Sequence, residues 1–146
     1  MVEFGYNESQ TLQPAAAAIL EDIRPCNKRP QRVVHDNLTP NITLRGIVAN
    51  PCCMNAQYNV RYSGNIALAD GATVGPIQMA LSVNGYVRPL TIAIATPAAV
   101  GDFWHVSGDA TIDVPAGCCT TVTVVNATAN AAIDVQNLNV DITRLA

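Results

Sequence analysis

The stretch YNVRYSGNIALADGATVGPIQMALSVNG, residues 58–85, decides the fold. Tyr58, Val60, Tyr62, Gly64, Ile66 and Leu68 fall on one face of an extended chain. Asn59, Arg61, Ser63, Asn65 and Ala67 fall on the other, because successive side chains of a strand point to opposite sides. That period of two predicts a long, half-buried strand, bent or bulged at Gly64. Asp70-Gly71 then marks a turn. Ile77, Met79, Leu81 and Val83 alternate with Gln78, Ala80 and Ser82 in a second strand. Asn84-Gly85 closes it with a strong hairpin signal, since both residues tolerate positive φ. The return strand runs on to Leu90, Ile92 and Ile94.

Working outward, Phe103–Val106 and Thr111–Val114 read as strands interrupted by Ser107-Gly108-Asp109. Pro115-Ala116-Gly117 turns the chain into Cys118–Val125, rich in Thr and Val. The last strand alternates Leu138, Val140 and Ile142 with polar residues. Arg32–Val34 and Ile42–Val48 are earlier strands. About eight or nine strands at short, regular spacing predict an all-β protein, a single jelly-roll-type β-sandwich. The beginning differs. Pro14 and the run Ala15–Ala18 carry helix propensity, but Arg24-Pro25 stops any second apolar turn, and an extended arm or a first strand fits equally well. The expected organisation is an N-terminal arm over 1–31 and a jelly-roll domain over 32–146.

Composition narrows the function. The chain of 146 residues suits one domain. Only 13% of its residues are charged, against about 25% in an average chain, while 49% are hydrophobic, including 21 alanines. So little charge leaves strand faces of Ala, Asn, Thr and Ser, which suit contacts between copies, where charge is depleted. A net charge of −3 argues against a nucleic-acid binder. No run approaches the roughly 18 apolar residues of a membrane-spanning helix, and no secretory signal is evident at the start, so synthesis in the cytoplasm is expected. Four Asn-x-Ser/Thr sequons, at Asn7, Asn37, Asn41 and Asn126, are taken as by-products of an Asn- and Thr-rich chain.

Catalytic signatures are missing. The one lysine, Lys28, sits in no glycine-rich loop. Ser107, His105 and Asp109 could be assembled into a triad only by geometry, and Asp102, Asp109 and Asp113 are better explained as turn and edge-strand residues. No catalytic, cofactor or metal-binding residue is assigned. The five cysteines, Cys26, Cys52, Cys53, Cys118 and Cys119, lack the spacing of a zinc site. Buried thiols and disulfides remain open for them; two intrachain bonds would leave one cysteine to link neighbouring chains. Arg24, Lys28, Arg29 and Arg32 gather four cations within nine residues, either a solvated turn or a contact for an acidic partner. Trp104, between Phe103 and His105, is the aromatic able to stack on a sugar, unless it belongs to a core or an axis between copies.

The strings SGNIALADGATVGPIQMALSVNG (63–85), TPAAVGDFWHVSGDATIDVPAGCC (96–119) and IDVQNLNVDITRLA (133–146) resemble those of small bacteriophage head-decoration and head-fibre proteins. The globular part of these proteins is similar to the trimeric jelly roll of tumour necrosis factor and complement heads. Cys26, Cys52 and the Cys118–Cys119 pair fall where cysteines occur in such chains. The resemblance implies a homotrimer on the capsid surface of a virion. The N-terminal segment, with Arg24, Lys28, Arg29 and Arg32, would grip the major capsid protein and stabilise the head. The alternative is the trimeric tip of a tail fibre or bacterial surface filament, binding a receptor or a host-surface glycan.

Overall fold

In the computed structural model, which describes residues 2–24, 32–48 and 54–145, the deciding stretch forms β6 (Asn55–Leu68). Its alternation becomes burial: Tyr58, Val60, Tyr62, Ile66 and Leu68 are fully buried, and Gln57 and Arg61 are exposed. Two long strands flank it, β10 (Trp104–Pro115) and β12 (Ile133–Arg144). β12 pairs in turn with β1 (Val2–Tyr6), and β1 with β3 (Glu21–Arg24). The first sheet therefore runs β10-β6-β12-β1-β3, with β2 (Gln10–Leu12) also on β12.

The second sheet is built from β4 (Val33–His35), β5 (Ile42–Arg45), β11 (Cys119–Asn126), β7 (Ile77–Val83) and β8 (Tyr86–Val87), in that spatial order. β9 (Ala93–Ala95) also pairs with β7. All pairings are antiparallel, and the inner faces enclose one apolar core. The all-β sandwich is as expected. Its strand number is larger than eight or nine because β2, β3, β8 and β9 are too short to show a period in sequence.

The expected arm is corrected by the structure. Residues 2–24 are built into both sheets: Val2 and Phe4 are core residues of β1, and Leu12 of β2 is 4% exposed. The alanine run is not helical. Ala15 takes a φ of 66° and its N–H donates to the Asn126 carbonyl at 3.0 Å, while Ala18 N–H donates to Val124 O at 2.8 Å. These bonds place residues 15–18 alongside β11. A helix this short is disfavoured by its nucleation cost, and the neighbouring strand offers the same backbone groups partners at once.

Two further differences share one cause. The bulge expected at Gly64 lies on β12, whose register shifts between Gln136 and Asn139, with Asn137 at a φ of 55°. Gly64 opposes it; a Cβ there would stand 3.4 Å from Leu138 Cα. Likewise Ser107-Gly108-Asp109 does not interrupt a strand, since β10 pairs with β6 without a break from Trp104 to Pro115. Gly108 makes room. A Cβ on it would sit 2.7 Å from Thr91 O and 2.8 Å from Tyr62 Cε1. Both glycines answer to neighbours remote in sequence.

The hairpin forms as predicted, with Asn84 and Gly85 at φ of 52° and 86°. Its return strand is shorter than expected. A 3₁₀ turn over Pro89–Thr91 separates β8 from β9, because Pro89 lacks the N–H that would continue the ladder. Tyr62 crosses the core to meet this turn, its hydroxyl 2.6 Å from Thr91 O and 2.9 Å from Met79 O.

Candidate interaction surfaces

The residues that could have formed a triad do not. His105, Ser107 and Asp109 share the outward, exposed face of β10, but His105 Nδ1 meets Asn65 Oδ1 at 3.2 Å and Asp109 Oδ2 accepts from Asn59 Nδ2 at 3.5 Å. Asp113 opposes Gln57 on the same edge. His35 is fixed structurally: Nδ1 faces Asp22 Oδ1, Nε2 lies 2.7 Å from Thr39 O, and the ring packs on Phe4 at 4.7 Å. This contact ties β3 of the first sheet to β4 of the second. Among the described residues no group of three or more His, Cys, Asp or Glu is placed to hold a metal, and no helix is long and apolar enough to cross a membrane. Burial pushes the Tyr62 hydroxyl up to about 12, partly opposed by the Ala93 backbone.

Of the five cysteines, Cys26, Cys52 and Cys53 lie outside the described residues. Cys118 and Cys119 are exposed free thiols at the turn between β10 and β11. They are neither joined nor buried. Lys28 and Arg29 also lie outside the described residues, and Arg24 ends β3 opposite Glu3. Arg32 is exposed, and it belongs to a grouping that spacing did not show. Tyr58 OH donates toward the carbonyls of Arg32 (3.2 Å) and Arg45 (2.7 Å), and Arg144 Nη1 donates to it at 3.3 Å. The Arg144 guanidinium also lies 5.6 Å from the centre of the Tyr58 ring. Arg32 just ahead of β4, Arg45 of β5 and Arg144 of β12 thus come to one end of the sandwich.

Trp104 is not a core residue. It is 48% exposed, and its Nε1 donates to Asp102 Oδ2 at 3.2 Å. The indole, with exposed Phe103 beside it, is held as an open aromatic face. Of the sequons, Asn7, Asn37 and Asn41 are exposed. Asn126 is buried and donates to Leu12 O and Ala131 O, while its Oδ1 accepts from Thr128 N–H.

An apolar ridge went unnoticed in the sequence. Tyr86 (80% exposed), Val87, Leu90 (100%) and Ile94 (62%) line the edge of the second sheet along β8, the 3₁₀ turn and β9. A groove of about 380 Å³ runs beside it, lined by Pro14, Val87, Ile92, Val125 and Ala129 among others. The return strand expected through Leu90, Ile92 and Ile94 is broken by the 3₁₀ turn Pro89–Thr91, which turns Leu90 out.

No protein-family model and no curated protein matches the chain. Solved structures do. The Eiger TNF of S. frugiperda superposes with a TM-score of 0.67 at 12% identity, covering 99% of this chain and 91% of that one. Murine APRIL superposes with a TM-score of 0.52 at 8% identity, over 92% and 94% of the two chains. The sugar-binding EclA C-terminal domain, at a TM-score of 0.42 and 14% identity over 94% and 79% of the chains, is too distant to carry an argument. At these identities the likeness establishes the fold: this chain is an all-β jelly roll of the kind seen in the TNF structures.

Proposed function

We propose that the protein is a non-enzymatic structural module that assembles as a homotrimer and decorates the outer surface of a virion head. The ridge of Tyr86, Val87, Leu90 and Ile94 carries the self-association. Four large apolar side chains side by side on a sheet edge are an aggregation hazard unless another surface covers them. Closed cyclic symmetry covers such an edge in every copy. The low charge of the chain and the absence of a catalytic grouping among the described residues agree with this role. Attachment to the major capsid protein rests on the sequence resemblance. Residues 2–24 are committed to the sheets, so the end that carries Arg32 and Arg144 is the face offered to an acidic capsid surface.

Light scattering behind size exclusion tests the assembly: the chain elutes at three times its mass, and the double variant Leu90→Asp/Ile94→Lys elutes as a folded monomer. A wild-type monomer at micromolar concentration refutes the homotrimer. Co-sedimentation with expanded heads, weakened by salt and by Arg32→Glu, tests the capsid contact; failure of the wild type to co-sediment refutes it. A second reading, a receptor- or glycan-binding tip, is favoured by the Asp102-held indole of Trp104. A glycan array on which Trp104→Ala behaves as wild type removes that support.

A further inference from the structure

Among the strands that end a sheet, β10 stands apart. It runs for 12 residues, whereas β3, β4, β8 and β9 have 4, 3, 2 and 3. One side of β10 pairs with β6 in unbroken register from Trp104 to Pro115. On the other side, among the described residues, residues 104–114 make no further backbone hydrogen bond. An open edge of this length is a template for another strand, and proteins blunt such edges with lysines, prolines, bulges or short strands. β10 has no lysine and no bulge, and its one proline is its last residue. It does carry Asp109 and Asp113 on its exposed face, and these restrict which strand fits.

The strand that fits is β10 of a second copy, laid antiparallel about a two-fold axis, where one patch must complement itself. With the axis at Asp109 that residue meets itself, and with the axis at Thr111 it meets Asp113. Like charges directly opposite each other destabilise a pair. With the axis at Ser107, each Asp109 carboxylate faces His105 of the other copy, and Asp113 lies beyond the paired residues. The same register sets Trp104 opposite Ala110, both on the core side of the sheet; an axis at Val106 or Gly108 would set it opposite Gly108 or Ile112 instead. Ala110 borders a groove of about 370 Å³ between β10 and the 3₁₀ turn, lined also by Pro89, Leu90, Thr91 and Thr111. A cavity of about 150 Å³ already holds a benzene ring, so the groove has room for an indole. Trp104 is 48% exposed, and Asp102 holds its Nε1. About this one axis both tryptophans meet a groove and both carboxylates meet a histidine.

We propose that β10 is a two-fold contact between copies of this chain, in which Trp104 of each copy enters the groove beside Ala110 of the other. Backbone groups on an open edge are already bonded to water, so their exchange gains little; the contact is weak in dilute solution and fills where copies are crowded. It does not rest on the ridge, and in a homotrimer it joins one trimer to the next. Sedimentation equilibrium tests it on Val87→Lys/Ile94→Lys, which spoils the ridge and leaves the groove intact. This variant is expected to pass from monomer to dimer at high micromolar concentration. Adding Trp104→Ala, with the fold checked by the amide spectrum, is expected to weaken the dimer by roughly tenfold or more. Adding His105→Asp is expected to weaken it as well, and Asp109→Lys on top of that to restore it. Opposed residues of antiparallel strands have Cα atoms about 4.5–5.5 Å apart, within the span of a disulfide. Ser107→Cys, treated with oxidised glutathione, is therefore expected to crosslink above the wild-type background, and Thr111→Cys, which faces Phe103 of the other copy, is not. A ridge variant that stays monomeric at high concentration refutes the proposal, as does Ser107→Cys crosslinking no better than Thr111→Cys. A wild type that forms dimers without trimers upholds this contact and refutes the ridge.

Discussion

Replacing Gly108 by Ala probes the contact on which the two sheets meet. The added Cβ would lie 2.7 Å from Thr91 O, 2.8 Å from Tyr62 Cε1 and 3.0 Å from Tyr62 OH. Neither neighbour can yield freely. The Tyr62 ring is fully buried and its hydroxyl is held between Met79 O and Thr91 O. Thr91 is tied in turn: its Oγ1 donates to Arg88 O at 2.7 Å and accepts from Leu81 N–H at 3.0 Å. Overpacking of this kind costs about 1–3 kcal/mol. Displacing Tyr62 from its carbonyl partner adds about 1 kcal/mol, so Gly108→Ala is expected to lose about 2–4 kcal/mol. Urea denaturation at fixed protein concentration measures the loss as a lower midpoint at unchanged slope. Tyr62→Phe removes one of the three crowded atoms. The double variant is therefore expected to be more stable than the sum of the single losses predicts, by about 0.5 kcal/mol or more. A Gly108→Ala protein within about 0.5 kcal/mol of wild type, or strict additivity in the cycle, refutes the crowding at Tyr62.

The same hydroxyl gives a pH dependence. Its value rises from 10.0 in the free side chain to about 12 in the fold, so the folded state binds the proton more tightly than the unfolded one. The contribution is complete below pH 10 and is lost as pH climbs through about 12; Tyr62→Phe is expected to flatten alkaline unfolding in that window, and an unchanged profile counts against it. Phe4→Ala is expected to destabilise the whole domain by about 3–5 kcal/mol, where a detachable arm would show no change in thermal unfolding. Cys118 and Cys119 are expected to react with iodoacetamide in the native protein, and protection of both thiols from the reagent contradicts their exposure.

The parts of the fold legible in sequence are those governed by local period and turn chemistry. The β6 pattern needs no partner to be read, because alternation alone separates Tyr58, Val60 and Tyr62 from Asn59 and Arg61. Asn84-Gly85 likewise carries its own backbone preference. From these two features follow an all-β chain and a sandwich. The site features were less legible. Trp104 could be singled out as the only tryptophan, but not as an exposed one, since its parity on β10 is that of buried Val106. The basic end needed Tyr58 to collect Arg32, Arg45 and Arg144 from three separate segments of the chain.

Everything decided by contact between distant segments waited for the tertiary structure. Local propensity favours a helix at Ala15–Ala18, but β11 leaves backbone groups open at Val124–Asn126, and hydrogen bonds to them settle the segment as extended. Gly108 has the same local signature as a turn glycine; only the approach of Tyr62 and Thr91 shows that it is required inside a strand. By itself the sequence determined the class of the fold, through a two-residue period and the turns that interrupt it. The tertiary structure decided which glycines are close contacts, which hydrophobic residues remain outside, and that residues 2–24 are paired into the sheets, because pairing across a sheet leaves no mark in the residues near either partner.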